Sequence, residues 1–244
     1  MSTTLKNICQ LTNSIFSKRN QLNQKDLQLN ETMAMLMKLF NQLKLNDLNL
    51  EPSDFVDNSR RMFRSYPFIP APLSFVKVFE NDTFSMTLFG FRGERSQIPL
   101  HDHPSMFAFA RCLHGSLAVQ SYTVLPETIP IPMEIIKKLP SKDHSNLDEE
   151  IMDSEHSRVL TLTPTEKNIH QVRSISNQLS IMVDIISPPY MESTDTYYYN
   201  VIDTVYDSKT NRSITWLCKT KDAGNYYCDT IPYSNITLTQ SDQL

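Results

Sequence analysis

From about Leu73 onward the chain settles into a two-residue hydrophobic period, and this constrains its fold more than any other feature. Apolar residues alternate with polar or small ones in LSFVKVF, TFSMTLFGF, MFAFARCL and SLAVQSYTV, and again in RVLTLT, IHQVRSI, LSIMVDII and YYYNVID. Successive side chains of a strand point to opposite faces, so each stretch predicts a short strand with one face turned inward. Eight such strands in succession, with no helical pattern alternating between them, argue for an antiparallel sandwich or a closed barrel. The 244 residues suit one large β domain or two small ones, and a hydrophobic fraction of 40% is enough for a core.

The first part of the chain has a different period. Leu5, Ile8, Cys9, Ile15 and Phe16, then Met33, Leu36, Met37, Phe40 and Leu43, recur at helical spacing and predict two amphipathic helices broken near RNQLNQKDLQLNE. Asn30 is placed to cap the second helix. The methionine-rich stripe reads as packing surface, so residues 1–50 are expected to form a helical brace outside the barrel. The proline-punctuated segment NDLNLEPSDFVDNSRRMFRSYPFIPAPLS reads as a connector, which makes 51–244 a single β domain. Within it, the polar, acidic and proline-broken stretch from Leu125 to Ser157 reads as a long loop with at most one helical turn.

Composition narrows the function. A net charge of −4 offers no basic surface for a phosphate backbone, so nucleic acid is not an expected partner. The N-terminus lacks the pattern of a secretory leader, and no run approaches the roughly 18 apolar residues of a membrane span. The expectation is a soluble, intracellular monomer, cytoplasmic with the nucleus as a second location. Cys9, Cys112, Cys218 and Cys228 are widely spaced with no CxxC pair, which suits reduced, buried thiols.

The candidate chemistry lies in IPLHDHPSMFAFARCLHGSLAVQSYT, Ile98 to Thr123. On a strand His101 and His103 project from one face while Asp102 takes the other, so two imidazoles come within reach of one ion. Such a pair alone is a weak signal, because it also arises on solvated strands. Of the other histidines, His144 and His156 fall in the acidic stretch, and His114 precedes Gly115 at an apparent hairpin turn. His170 opens a strand after a proline-containing turn and is placed to enter an interior already lined by His101 and His103.

The spacing G-x7-HxH-x11-G, from Gly93 through His101 and His103 to Gly115, resembles the first motif of the cupins, with His170 in the place of the second motif's histidine. The implied fold is mainly β, a cupin-type double-stranded β-helix (jelly-roll barrel) with the N-terminal α-helices packed outside. Where that motif usually carries glutamate this chain has Ala108, which leaves three histidines and no carboxylate. A three-histidine cupin resembles the thiol dioxygenases. IPLHDHPSM, LHGSLAVQSY, LTPTEKNIHQV and DIISPPY followed by TYYYNVI are similar, in order, to blocks of one branch, the cysteamine (2-aminoethanethiol) dioxygenase and plant cysteine oxidase family. The similarity runs from about Leu45 to Asp203. Ser105 replaces the glycine of the usual HPGM, and Thr196 stands where animal members often carry cysteine, so no cysteine–tyrosine crosslink is expected at that position.

The resemblance implies an iron(II) site held by His101, His103 and His170, no organic cofactor, and dioxygen with a thiol as co-substrates. Neutral imidazoles would leave the ion its full charge and open positions, so a thiolate can bind it directly. Both oxygen atoms would enter the thiol and give a sulfinic acid. The thiol would belong to cysteamine, to proteins with an N-terminal cysteine, or to both; in the protein case the family acts as an oxygen sensor, marking its targets for degradation and sparing them in hypoxia. Asp184 lies in an otherwise apolar strand, where a carboxylate needs a partner or a function. The family places the matching aspartate at the active site, to receive the substrate amine or order a ligand histidine, and it places a tyrosine matching Tyr190 there to bond substrate or oxygen. Phe91, Phe107 and Phe109 read as core or pocket wall. Tyr197 and Tyr199 should share one strand face, with Tyr198 on the other. A zinc hydratase or hydrolase, and a cupin that binds a ligand without turnover, remain the competing readings.

Overall fold

The computed structural model describes residues 2–17, 31–57, 70–94, 96–125, 143–156, 158–190, 196–207 and 212–233. Among the described residues, two helices, α1 (Thr3–Phe16) and α2 (Glu31–Gln42), precede two 3-10 turns (Leu45–Leu48 and Pro52–Phe55) and twelve strands. Ser2 caps α1, its hydroxyl accepting from the Leu5 N–H at 3.2 Å. Asn30 lies outside the described residues. No helix among the described residues is long and apolar enough to cross a membrane.

The strands are β1 (Leu73–Glu80), β2 (Ser85–Arg92), β3 (Gln97–Asp102), β4 (Phe107–His114), β5 (Ser116–Val124), β6 (Asp143–Asp153), β7 (Leu160–Leu162), β8 (Ile169–Ser174), β9 (Leu179–Ser187), β10 (Tyr198–Asp207), β11 (Arg212–Thr220) and β12 (Cys228–Thr230). They form two six-stranded sheets, the mainly β jelly roll that the sequence led us to expect. The first has the order β12-β1-β2-β9-β4-β7. The second runs β10-β11-β6-β5-β8-β3 and closes on itself where Tyr198 pairs with His101.

The first sheet is buried on both faces, and its two faces do different work. Val76, Val78, Met86, Leu88, Ile181, Val183, Ile185 and Phe109 point outward into one core with Leu5, Ile8, Phe16, Leu36 and Phe40 of the helices. Met182, Ile186, Ala108 and Ala110 point inward into a second core, against Ile98, Leu117 and Val172 of the other sheet. Burial on both faces explains why β9 reads as a nearly unbroken apolar run. The rings of Phe107 and Phe109 stand 5.7 and 5.9 Å from that of Phe16, so both belong to the helix-facing core and not to a pocket wall. Phe91 belongs to the inner core.

Two expectations are corrected, and one strand went unread. Residues 143–153 of the stretch read as a loop form β6, which pairs with β5 along nine positions and with β11 along four. Its sequence, DHSNLDEEIMD, is rich in residues that disfavour strands, so the pairing is imposed by neighbours on both sides and not by local preference. Residues 126–142 lie outside the described set. His114 and Gly115 do not form a hairpin turn: β4 and β5 belong to different sheets, and the chain crosses between them there. Gly115 has φ +72°, and a Cβ on it would meet Ser180 Oγ at 2.5 Å and Leu179 O at 2.7 Å, so this crossing needs glycine. The strand RSITWLCKT, β11, was not foreseen; it pairs with β10 and carries the buried Trp216.

Candidate metal centre

His101 and His170 are direct partners in the antiparallel pairing of β3 and β8, which puts their side chains side by side on one face. His103 follows two residues after His101, just past the end of β3. Its N–H donates to the Asn168 carbonyl at 3.2 Å, while Asn168 Nδ2 donates back to the His103 carbonyl at 2.7 Å and to the Thr163 carbonyl at 3.1 Å. The three ring centroids stand 4.6 to 4.9 Å apart. One ligand nitrogen from each ring lies within 4.8 Å of those of the other two. The structure therefore brings together the three histidines singled out from sequence. His156 is exposed on Asp153, outside this cluster.

The outer nitrogens fix which nitrogens face inward. His101 Nδ1 lies 2.8 Å from the Pro99 carbonyl, which can only accept, so Nδ1 carries the proton and Nε2 keeps its lone pair. The Tyr190 hydroxyl donates to the Asp102 carbonyl at 3.1 Å, and its oxygen, 2.7 Å from His103 Nδ1, accepts that ring's proton. Nε2 of His103 is left unprotonated in turn. Burial lowers the pKa of all three imidazoles, of His103 and His170 most, with His101 adding repulsion to both. All three rings are thus neutral at physiological pH, the form in which imidazole binds a metal. Nδ1 of His170 is buried without a hydrogen-bond partner, a state that costs about 1–3 kcal/mol. Three neutral imidazole donors brought this close together fit a divalent transition metal.

The rings open into a cavity of about 410 Å³ between the two sheets. Ala108 lines it, so the position where an acid would add a fourth ligand is a methyl group facing the same space. Asp184 lines it too, on the inward face of β9. Its carboxylate accepts from the hydroxyl of Thr87, its partner across the β2–β9 pairing, and burial pushes its pKa up to about 7. No hydrogen bond ties Asp184 to a histidine among the described residues.

Tyr190 sits where the sequence placed it, yet its hydroxyl is engaged by His103 and Asp102. Burial raises its pKa, so it stays protonated. Asp102 faces away from the rings as expected; Oδ1 accepts from the Tyr197 N–H at 2.8 Å and Oδ2 from the Tyr199 hydroxyl at 2.9 Å. Those bonds clamp the His101–His103 segment onto β10 and turn Tyr198, the opposite face of that strand, into the cavity. Thr87, Asn168 and Tyr226 were not singled out from sequence, and Tyr198 was read there only as taking the strand face opposite Tyr197 and Tyr199. Thr87 becomes visible only once β2 is known to pair with β9.

The family model described as PCO_ADO matches residues 39–238. The human 2-aminoethanethiol dioxygenase is 26% identical over 223 residues, which cover 83% of this chain and 80% of that protein. Plant cysteine oxidase 2 of Arabidopsis thaliana is 25% identical over 178 residues, 70% of this chain and 58% of that protein. Among solved structures, an RmlC-like cupin protein from Desulfovibrio desulfuricans aligns with 52% of this chain and 99% of its own at 15% identity and a TM-score of 0.32. The chain belongs to the PCO_ADO family of thiol dioxygenases.

Proposed function

We propose that this PCO_ADO family member is an iron(II)-dependent dioxygenase that adds both atoms of dioxygen to the thiol of cysteamine or of an N-terminal cysteine, giving the sulfinic acid. The observation that carries this reading is the three-imidazole cluster facing a cavity whose nearest acid position is Ala108. An iron(II) ion held by His101, His103 and His170 would supply the redox chemistry that lets dioxygen react with a closed-shell thiol. With no carboxylate in the ligand set, the site retains the positive charge that favours a thiolate.

The chain's own residues do the rest. Tyr190 and Pro99 hold two imidazoles in the tautomer that presents a lone pair inward. Asp184, braced by Thr87, accepts a hydrogen bond from the amine that cysteamine and an N-terminal cysteine both carry two carbons from sulfur. With a pKa of about 7, it can take the thiol proton or amine proton as the substrate docks. Met182, Ile186 and Leu162 give the cavity an apolar wall that limits water around the reacting sulfur. The balance closes with thiol and dioxygen alone, so no external reductant is consumed.

Cysteamine and a peptide differ in size, and a 410 Å³ cavity open at one edge accommodates the start of a peptide chain. Oxidation of protein N-termini would make the enzyme an oxygen sensor acting through proteolysis, in the cytoplasm and nucleus. Mass spectrometry of a Cys-initiated peptide beside cysteamine, each with purified iron-loaded protein, tests the reading. Gain of two oxygens by either thiol supports it; no gain by either overturns it.

A further inference from the structure

The register of the first sheet arranges the cavity floor in cross-strand rows. Lys77 pairs with Thr87, Thr87 with Asp184, and Asp184 with Ala110. In the next row Glu80 pairs with Ser85, Ser85 with Ile186, and Ile186 with Ala108. A polar track thus leaves Asp184 across Thr87 and Ser85 and ends at Lys77 and Glu80, which line the same cavity as the histidines. It ends at the edge of β1 away from β2, where β12 pairs only from Leu73 to Phe75 and no other strand among the described residues pairs beyond them.

At that edge Lys77 Nζ meets Glu80 Oε1 at 2.7 Å, with side chains 50% and 39% exposed. An ion pair this exposed contributes little to stability, so its partners exchange readily. Glu80 is the more enclosed partner, and Lys77 has the longer and more mobile stem, so an incoming cation displaces Lys77 more easily than an anion displaces Glu80. From Asp184 to this edge is two strand spacings, roughly 10 Å, the span of about three extended residues.

We infer that Glu80 is a specificity-determining residue: it receives a basic side chain at the second or third position of a substrate that begins with cysteine, in exchange for Lys77. This deepens the proposed function and rests on it. The substrate class is then a peptide or protein N-terminus that begins with cysteine and carries a basic residue at its second or third position, its amine at Asp184 and its chain running along the polar track.

The test compares two peptides, Cys-Arg-Arg-Ala and Cys-Glu-Glu-Ala, by thiol-dependent oxygen uptake with iron-loaded wild-type protein, E80Q and K77Q, and with cysteamine in parallel. Wild type should favour the arginine peptide by about three- to fivefold in kcat/KM, carried by KM and reduced by added salt. E80Q should bring the two peptides to parity, and K77Q, which removes the competing cation, should widen the preference. A purely structural role for Glu80 would lower both peptides together and leave their ratio unchanged, and that result overturns the inference. A ratio in K77Q that falls to parity overturns it as well. Turnover of cysteamine with no discrimination between the peptides removes only Glu80's role; no turnover of any thiol by wild type removes the proposed function and this inference with it.

Discussion

Tyr190 shows how a single hydroxyl divides two roles that sequence cannot separate. Read as a residue near the site, it could meet substrate or oxygen; the structure commits its oxygen to His103 Nδ1 and its proton to the Asp102 carbonyl. Tyr190→Phe keeps the ring and removes both bonds, leaving His103 free to turn and to protonate at the wrong nitrogen. Loss of such a ligand-orienting bond weakens metal binding by about 10- to 100-fold, so metal titration should show that shift, with turnover restored as iron is raised. Undiminished affinity with a slower rate would return Tyr190 to direct contact with substrate. Ala108 tests the opposite change. Ala108→Glu puts a carboxylate into the cavity beside the three rings; bound iron should persist while the KM for thiols rises, because the new ligand cancels charge that the thiolate needs. Thiol turnover at the wild-type level would show that the missing acid is incidental.

At the level of elements, the parity of each strand decides what it contributes, and parity was the legible part. Alternation in β2 and β4 foretold strands with one face turned inward, and Asp184 stood out because it broke the apolar run of β9. What stayed hidden depended on pairing. β6 has a composition that disfavours strands and exists through its two neighbours, and the chain crossing at Gly115 resembles a hairpin until the sheets are known. The same holds for Thr87, whose relation to Asp184 is a matter of register across 97 residues of sequence. The three histidines escaped this limit because two share a strand segment and the third opens that segment's partner. Helix α1 supplies an element-scale test. Phe16 is 3% exposed and packs on Phe107 and Phe109, so Phe16→Ala should destabilise the fold by about 3–5 kcal/mol in urea unfolding while the surviving folded protein keeps its kcat. A cost near zero would mean the helices do not brace that sheet.

Across the whole molecule one sheet separates stability from chemistry: its outer face carries the helices, and its inner face carries Asp184, Ala108 and the polar track toward Glu80. The cost of that arrangement is a carboxyl buried in the cavity, and it can be read from pH. Asp184 has a folded pKa near 7 against 3.8 when exposed, so the folded state holds a proton that the unfolded chain releases. This contribution is fully present below about pH 4 and is lost as pH rises to about 7. The buried histidines run the other way, because their lowered pKa values make the unfolded chain the better proton acceptor as pH falls below 6.5. Asp184→Asn removes only the first effect. In metal-free protein, calorimetry should find the variant gaining on wild type between about pH 4 and pH 7, whereas a constant difference would contradict the burial of a protonated carboxyl. The central claim, a three-histidine iron site that oxidises thiols, is tested most directly by metal content and oxygen uptake measured on one sample. Protein loaded with iron should consume one dioxygen per thiol added, zinc-loaded protein none, and His103→Ala should lose both the metal and the uptake. Stoichiometric iron with no thiol-dependent uptake, or equal turnover with zinc, would contradict the account.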